Sequence, residues 1–385
     1  MSAPRFAVQY LENRPAGLVP AEARARLRQA FDRLPIEAVL LGWDLPPAFE
    51  EAVAAETRRA GARLFRWQPL LTGTRRLALP PEWAVIGADG APVPGHGGQA
   101  EFTFICPNRS AVAEFVAERI ETVAARGLFD GVFLDRIRFP SPAPNPTTHL
   151  GCFCRACTRL AADSGLDLET ARRALDTNPL ELARALLGAA CDPPLAALLD
   201  FRQRSITRLV KTAARQAAQA GLEVGLDCFS PALTRMVGQH LADLDAVCDW
   251  IKVMTYPRVF GPAGLSFELA ALLDWLTGRG IAPAEALAAL AESIRLPLPA
   301  APDDLRQTGL GSETMQIEIE RGRQMGVRQL LAGLALVEMP GVHTSTEAQI
   351  RAELEASRAA DGLALSWDLW LTPLEYLDTI RLIWC

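Results

Sequence analysis

Short runs of apolar residues alternate with longer amphipathic segments along the whole chain. The short runs are rich in β-branched and aromatic residues, as strands are, and the longer segments repeat apolar residues at helical spacing. We predict eight strands, at residues 6–11, 38–43, 63–70, 131–139, 224–229, 250–256, 329–337 and 362–367. We predict helices after them, at residues 21–34, 47–61, 110–127, 195–221, 231–248, 312–326, 345–360 and 373–384.

This alternation predicts the fold class. Eight strands, each followed by a helix, are the composition of a closed (β/α)8 TIM barrel of the α/β class. An open doubly wound sheet is the alternative, although such sheets normally have fewer strands. We expect one barrel domain over residues 1–385.

Three connections are too long to be simple turns, namely residues 71–101, 140–194 and 257–311. They follow the third, fourth and sixth predicted strands, so they would lie at the C-terminal mouth of the barrel, where barrel enzymes carry their sites. Because long loops in compact domains are usually functional, we expect these insertions to shape a binding site.

Composition narrows the classes of function. The chain has 385 residues, 50% hydrophobic and 22% charged, with a net charge of −6, which argues against nucleic acid or anionic membranes as partners.

No apolar run is long enough to span a membrane, and the N-terminal segment lacks the pattern of a secretory signal, so we expect a cytoplasmic protein. No phosphate-binding glycine motif follows a strand, so we expect no organic cofactor. The formation of a homo-oligomer is left open.

The segment LFDGVFLDRIRFP, at residues 128–140, resembles the fourth strand of the family-ten-like group of bacterial glycoside hydrolases. Further segments resemble that group in the same order: GCFCRAC at 151–157, GLDCFSP at 225–231, DWIKVMTYP at 249–257 and ALSWDLW at 364–370. The resemblance covers roughly residues 100 to 375, and it implies a TIM barrel that cleaves glycosidic bonds in a carbohydrate substrate.

Chitinase-like barrels offer a second comparison, since their fourth strand reads D-G-x-D-x-D-x-E. Asp130, Gly131 and Asp135 match this pattern. Phe133 replaces an inner aspartate, however, and Ile137 stands where the catalytic glutamate would be. This departure argues against the chitinase mechanism.

Glycoside hydrolysis needs two carboxyl groups that flank the scissile bond, one protonated and one ionised. Asp135 and Glu338 each follow an apolar run at the end of a predicted strand, on opposite sides of the barrel mouth. We therefore predict Asp135 as nucleophile or base, with Arg138 as a nearby positive charge, and Glu338 as the acid. This pairing assumes that Leu334, Leu336 and Glu338 face the barrel interior.

Other roles remain open for these carboxylates. Asp227, on the fifth strand, is the competing catalytic partner of Asp135, although Lys252 on the sixth strand is placed to neutralise it. Asp135 could instead form a structural ion pair with a neighbouring arginine, and Glu338 could brace a loop.

Residues at the strand ends also predict sugar contacts. Aromatic rings can stack on the apolar faces of pyranoses, carboxylates can bind hydroxyl groups, and an arginine can bind an acidic substituent or support a carboxylate. Core packing is the common alternative for any single tryptophan. The predicted substrate-binding residues are Trp43, Asp44, Trp67, Arg138, Tyr256, Trp367 and Asp368.

Eight cysteines without a secretory signal suggest reduced thiols and a metal site. Cys152, Cys154 and Cys157 form a C-x-C-x2-C run after the fourth strand, and Cys106 lies upstream. The arrangement is similar to that of zinc-carrying β-galactosidase barrels, which implies a structural Zn²⁺ held by these four thiolates. His149 is the reserve ligand, and free thiols or a disulfide are the alternatives.

Two rivals to a glycosidase remain. A non-catalytic sugar-binding barrel would keep the aromatic residues and tolerate the loss of Asp135. A redox enzyme would hold an iron–sulfur cluster on its cysteines, but the C-x-C-x2-C spacing differs from the C-x3-C-x2-C of radical enzymes.

Overall fold

The computed structural model describes residues 4–11 and 19–385. Within them, eight strands form a closed barrel in chain order, each parallel to its neighbours, and the last strand pairs with the first. The predicted TIM barrel is confirmed, and the open sheet is excluded. The strands are β1 (Phe6–Tyr10), β2 (Ala38–Leu41), β3 (Arg63–Pro69), β4 (Gly131–Asp135), β5 (Glu223–Cys228), β6 (Trp250–Val253), β7 (Leu330–Ala335) and β8 (Gly362–Ser366).

Helices surround the barrel and fill the long connections. The α-helices are α1 (Pro20–Arg33), α2 (Pro47–Arg59), α3 (Ser110–Ala125), α4 (Pro146–His149), α5 (Arg155–Asp163), α6 (Leu168–Arg173), α7 (Pro179–Leu186), α8 (Pro193–Gln219), α9 (Thr234–Val237), α10 (Leu241–Asp245), α11 (Leu265–Gly278), α12 (Pro283–Ile294), α13 (Pro302–Gln307), α14 (Glu313–Gln324), α15 (Glu347–Ala356) and α16 (Glu375–Trp384). Short 3₁₀ turns lie at Pro81–Trp83, His96–Gly98, Ala100–Phe102 and Pro231–Leu233.

Aromatic side chains fill the inside of the barrel below its mouth. Phe133 stacks on Trp250 with their ring centroids 5.3 Å apart, and Phe65 meets the same indole edge-on at 5.5 Å. Gly225 faces this layer, and a Cβ atom there would lie only 2.2 Å from the Trp250 ring. The floor is therefore solid, and any ligand site must lie above it.

Several strands and helices end earlier in the structure than the sequence predicts. The fourth strand stops at Asp135 because Arg136 has a positive φ of 54°. The seventh strand stops at Ala335, so Glu338 lies beyond it. The helix predicted over residues 231–248 is broken by Gly238 at φ 78° into α9 and α10.

The three long connections follow β3, β4 and β6, as predicted. The connections after β4 and β6 are not loops, because they carry helices α4 to α7 and α11 to α13. Across residues 4–11 and 19–385, none of the helices combines the length and the apolar character needed to cross a membrane.

Candidate active site

A pocket of about 850 Å³ opens at the C-terminal mouth of the barrel. Side chains that follow the strands line it, together with parts of the connections after β3 and β6. The connection after β4 contributes only Arg136 and Arg138, close to the end of the strand, and none of residues 140–194 lines the pocket. Of the predicted site residues, Trp43, Asp44, Trp67, Asp135, Arg138, Asp227, Tyr256 and Trp367 lie in this lining.

Asp135 lies at the base of the pocket and is 7% exposed. The indole Nε1 of Trp67 donates a hydrogen bond of 3.0 Å to Oδ2, and the backbone N–H of Arg136 donates to Oδ1. No ion pair to Asp135 forms within the described part of the chain, so the structural ion pair with a neighbouring arginine is not present. Neutral donors hold this carboxylate in place, and Arg136 and Arg138 act on it as nearby charges without direct contact.

Arg136 is a pocket residue that the sequence did not single out for binding. Its guanidinium lies 5.1 Å from the Trp43 ring centroid and donates to the Thr72 hydroxyl at 2.7 Å. It also donates to the Glu101 carbonyl at 2.6 Å. Arg136 therefore ties the connection after β3 to the end of β4.

Asp227 and Lys252 form a buried ion pair one strand away from Asp135. The Lys252 Nζ lies 3.0 Å and 3.1 Å from the two carboxylate oxygens, and it donates to Gln9 Oε1 at 3.2 Å. Both side chains are almost fully buried and line the pocket. Gly333 makes room for this pair, since a Cβ atom there would lie 2.9 Å from the Lys252 Cε.

Burial gives Asp227 a higher pKa than that of an ordinary surface aspartate. Removal from water raises the pKa of Asp227 to about 7, against the opposing effect of Lys252, and the nearby Asp135 carboxylate adds to the rise. Burial acts to lower the pKa of Lys252, but Asp227 and Tyr256 together more than offset it, and the pKa is raised. Asp227 can therefore carry a proton near neutral pH, as a general acid must.

Aromatic rings wall the pocket on two sides. Trp43 and Trp67 meet edge-on with their centroids 5.2 Å apart, and Tyr256 and Trp367 meet at 6.3 Å. The Tyr256 hydroxyl donates to Ser366 Oγ at 2.8 Å, which fixes its ring. Trp43 and Trp367 are half-buried and offer the partly exposed ring surface that stacking on a sugar requires.

Glu338 lies outside the pocket lining, in contrast to the geometry assumed for it. Leu331 packs inside the barrel, whereas Leu334 and Leu336 pack in the layer between strands and helices. The expectation that Leu334, Leu336 and Glu338 face the interior is therefore wrong. Glu338 Oε1 instead accepts hydrogen bonds from the Ser345 backbone at 3.1 Å and the Tyr376 hydroxyl at 2.9 Å, which is the loop-bracing role.

The other two predicted carboxylates differ in position. Asp44 lines the pocket, accepts a hydrogen bond of 2.8 Å from the Thr74 hydroxyl and has a positive φ of 60°. Asp368 is fully buried and does not line the pocket, and its Oδ1 accepts from the Trp370 backbone at 3.1 Å. Asp368 is therefore not placed for the substrate contact predicted for it.

Sequence reasoning also missed several residues of the lining. Gln9 stands out as a polar residue within the apolar strand FAVQY, and this signal could have identified it. His96, Glu101 and Phe260 come from the long connections, where no periodicity marks them.

The four predicted metal-ligating cysteines lie together, all buried, with their sulfur atoms within 4.8 Å of one another. The Cys106 Sγ is 3.4 Å from Cys157 and 3.7 Å from Cys154. Backbone and side-chain N–H groups point at the sulfurs: Ile86 donates to Cys152 at 3.4 Å, and the Asn108 amide to Cys157 at 3.2 Å. This cluster could bind a metal ion, and His149 is not part of it.

Solved glycoside hydrolases share this fold at low sequence identity. The glycoside hydrolase domain of PgaB (BpsB) from Bordetella bronchiseptica has a TM-score of 0.55 and 16% identity, with 98% of this chain and 95% of that one covered. The catalytic domain of a β-amylase from Paenibacillus polymyxa has a TM-score of 0.56 and 10% identity, with coverage of 100% and 99%.

A β-galactosidase from the psychrophilic Marinomonas ef1 has a TM-score of 0.59 and 12% identity, and the match spans 98% of this chain and 58% of that one. No family model matches the chain, and no curated protein matches its sequence. At these identities the likeness shows a shared barrel fold.

Proposed function

We propose that this protein is a glycoside hydrolase in which Asp135 and Asp227 form the catalytic carboxyl pair. The observation that carries the proposal is a pocket with two carboxyl groups in different environments at the ends of neighbouring strands. Asp135 is held by neutral donors, whereas Asp227 is buried with a pKa raised to about 7 by that burial. Such a division of environments is how glycosidases assign acid and base roles.

In this mechanism Asp227 donates its proton to the glycosidic oxygen as the bond to the leaving group breaks. Asp135 takes the second role: it either attacks the anomeric carbon or activates a water molecule that does so. The two carboxyl groups bond to different neighbours, Trp67 on β3 and Lys252 on β6, and both line the same pocket. This pairing replaces Glu338 with Asp227 as the partner of Asp135.

The surroundings of the pair support a sugar as the substrate. Trp43 and Trp367 offer partly exposed rings, and Asp44 offers a carboxylate for hydroxyl groups. The fold neighbours include proteins named as a glycoside hydrolase domain, a β-amylase and a β-galactosidase, which adds an analogy at the level of the fold.

Hydrolysis of a glycan panel tests the proposal. Purified protein is incubated with oligosaccharides of different linkages, and new reducing ends are followed by mass spectrometry. We expect cleavage of at least one class of glycan by the wild-type protein and none by the Asp135→Asn/Asp227→Asn double variant, which controls for contaminating enzymes. Saturable binding of glycans without any cleavage would instead identify a sugar-binding barrel.

We further propose that Cys106, Cys152, Cys154 and Cys157 hold a structural zinc ion. Four thiolates at about 2.3 Å from a tetrahedral zinc lie about 3.8 Å apart, and the sulfur separations of 3.4 and 3.7 Å are close to this. The N–H groups at the sulfurs would offset the charge of four thiolates. Ile86 and Cys106 belong to the connection after β3, part of which lines the pocket. The ion would therefore join this connection to the insertion after β4.

Metal analysis tests the zinc proposal. Protein purified without chelator is expected to contain one zinc per chain, and Cys154→Ser is expected to lose it and to lower the melting temperature by roughly 5 °C or more, because metal binding contributes to folding. Cys385→Ser is the matched control, since Cys385 is exposed and outside the cluster. A fully stable wild-type protein without zinc would contradict this proposal.

A further inference from the structure

Arg138 is a buried cation without a carboxylate partner. It is 7% exposed, and its guanidinium contacts two phenyl rings, 4.4 Å from the Phe104 centroid and 4.5 Å from that of Phe229. Within the described part of the chain its one hydrogen bond runs from Nη1 to the Phe139 carbonyl at 3.1 Å, and it forms no ion pair. Arg138 nevertheless lines the pocket.

The cations around it make more direct polar contacts, although Arg136, like Arg138, forms no ion pair within the described residues. Lys252 pairs with Asp227 at 3.0 Å, and Arg136 donates to a hydroxyl and a carbonyl oxygen. The nearby carboxylate of Glu268 is already bound by the Ser141 hydroxyl and by the Ala263 backbone N–H at 2.9 Å. No side chain in the described residues therefore neutralises Arg138 by direct contact.

The two phenyl rings determine what Arg138 can bind. Both rings contact the guanidinium and favour its charge through cation–π interactions, but they accept no ordinary hydrogen bond from its N–H donors. One of these donors binds the Phe139 carbonyl. Burial lowers the pKa of Arg138 to about 10, and the group is therefore still charged at neutral pH. A buried charge of this kind is costly unless an anion pairs with it.

We propose that Arg138 binds the carboxylate of a uronic acid unit in the substrate, so that the pocket is specific for acidic glycans. This inference rests on the proposed action on carbohydrates. A planar carboxylate can accept two parallel hydrogen bonds from the remaining N–H donors of the guanidinium, a geometry that favours it over a neutral hydroxyl group. Glu268, Asp135 and Asp227 act on Arg138 from a distance, and the substrate carboxylate would supply the direct partner that the described residues do not.

Binding to matched acidic and neutral ligands tests this inference separately from turnover. Calorimetry is done on the Asp135→Asn variant, which is expected to keep the pocket and to lack turnover. It compares uronic-acid oligosaccharides with the same compounds after chemical reduction of the carboxyl groups. We expect at least one acidic oligosaccharide to bind about 30-fold more tightly than its reduced form, a ratio typical of a charge-assisted bidentate contact.

Substitution of Arg138 tests whether this residue causes the preference for acidic over reduced oligosaccharides. Adding Arg138→Met should abolish the preference while leaving binding of the reduced oligosaccharide within about twofold, and adding Arg138→Lys should retain only part of it, since a lysine lacks the planar fork. Equal loss of affinity for both ligands would show a structural role and overturn the inference. A pocket that prefers neutral glycans, or that binds none of the acidic ones, would also overturn it. Glycan cleavage by the wild-type protein decides the proposed function independently of these results.

Discussion

Asp135→Asn is expected to lower kcat/KM for glycan hydrolysis on the order of 10⁴-fold or more, the effect seen when a reacting group is removed. The asparagine side chain keeps one oxygen for the Trp67 indole hydrogen bond of 3.0 Å and loses only the acceptor for the Arg136 backbone N–H, so the pocket should keep its shape. The amide cannot serve as nucleophile or base. We therefore expect glycan affinity within a few-fold of wild type, measured by calorimetry, alongside the loss of turnover.

Two further variants decide which carboxyl group is the partner of Asp135. Asp227→Asn should lose activity on unactivated glycans, whereas Glu338→Gln should keep activity near the wild-type level, because Glu338 lies outside the pocket and contacts Ser345 and Tyr376. The Glu338 variant is thus the matched control for substituting a carboxyl group after a strand. Loss of activity in Glu338→Gln, together with full activity in Asp227→Asn, would restore the original assignment.

The fold could be predicted because its signals are repeated along the chain. Each strand is a short run that is buried on both faces, as parallel strands covered by helices are, and the predicted starts lie within one residue of those observed. On β4 the alternation also identifies the interior face correctly, since Phe133 packs inside the barrel and Asp135 lines the pocket. Errors at the strand ends do not affect this part of the prediction.

Errors at the strand ends do affect the prediction of the site. A residue beyond a strand's last hydrogen bond no longer follows the alternation of the strand, and β7 ends three residues before Glu338. The face of β7 was also assigned wrongly, because Leu331 and Leu334 are equally apolar although one faces the barrel interior and the other the helices. Where both faces of a strand are buried, hydrophobicity alone cannot distinguish them.

The cysteine cluster shows the opposite case. Three of its members lie within six residues, and the spacing of such a run predicts convergence without knowledge of the fold. Cys106 is distant in the chain, and it is brought to the cluster by the segment that leads into α3. Arg138, by contrast, is recognised as unpaired only once its neighbours Phe104, Phe229 and Glu268 are known.

The pH dependence of hydrolysis should report the protonation of Asp227. With a pKa raised to about 7 by burial, Asp227 is protonated below neutral pH and loses its proton above it. If it is the acid, kcat/KM levels off about one unit below this pKa and falls about tenfold per unit well above it. Lys252 opposes the rise in this pKa, so Lys252→Met should move the alkaline limb to higher pH, by about one unit or more.

Lys211→Met is the matched control for this shift. Lys211 is the other lysine of the chain, is exposed on α8 and is not part of the pocket lining, so its removal should leave the limb near pH 7. The direction of the shift matters more than its size, because loss of the contact with Gln9 can also lower the plateau of kcat/KM without moving the limb. An alkaline limb that stays in place or moves to lower pH in Lys252→Met would mean that Asp227 is not the proton donor.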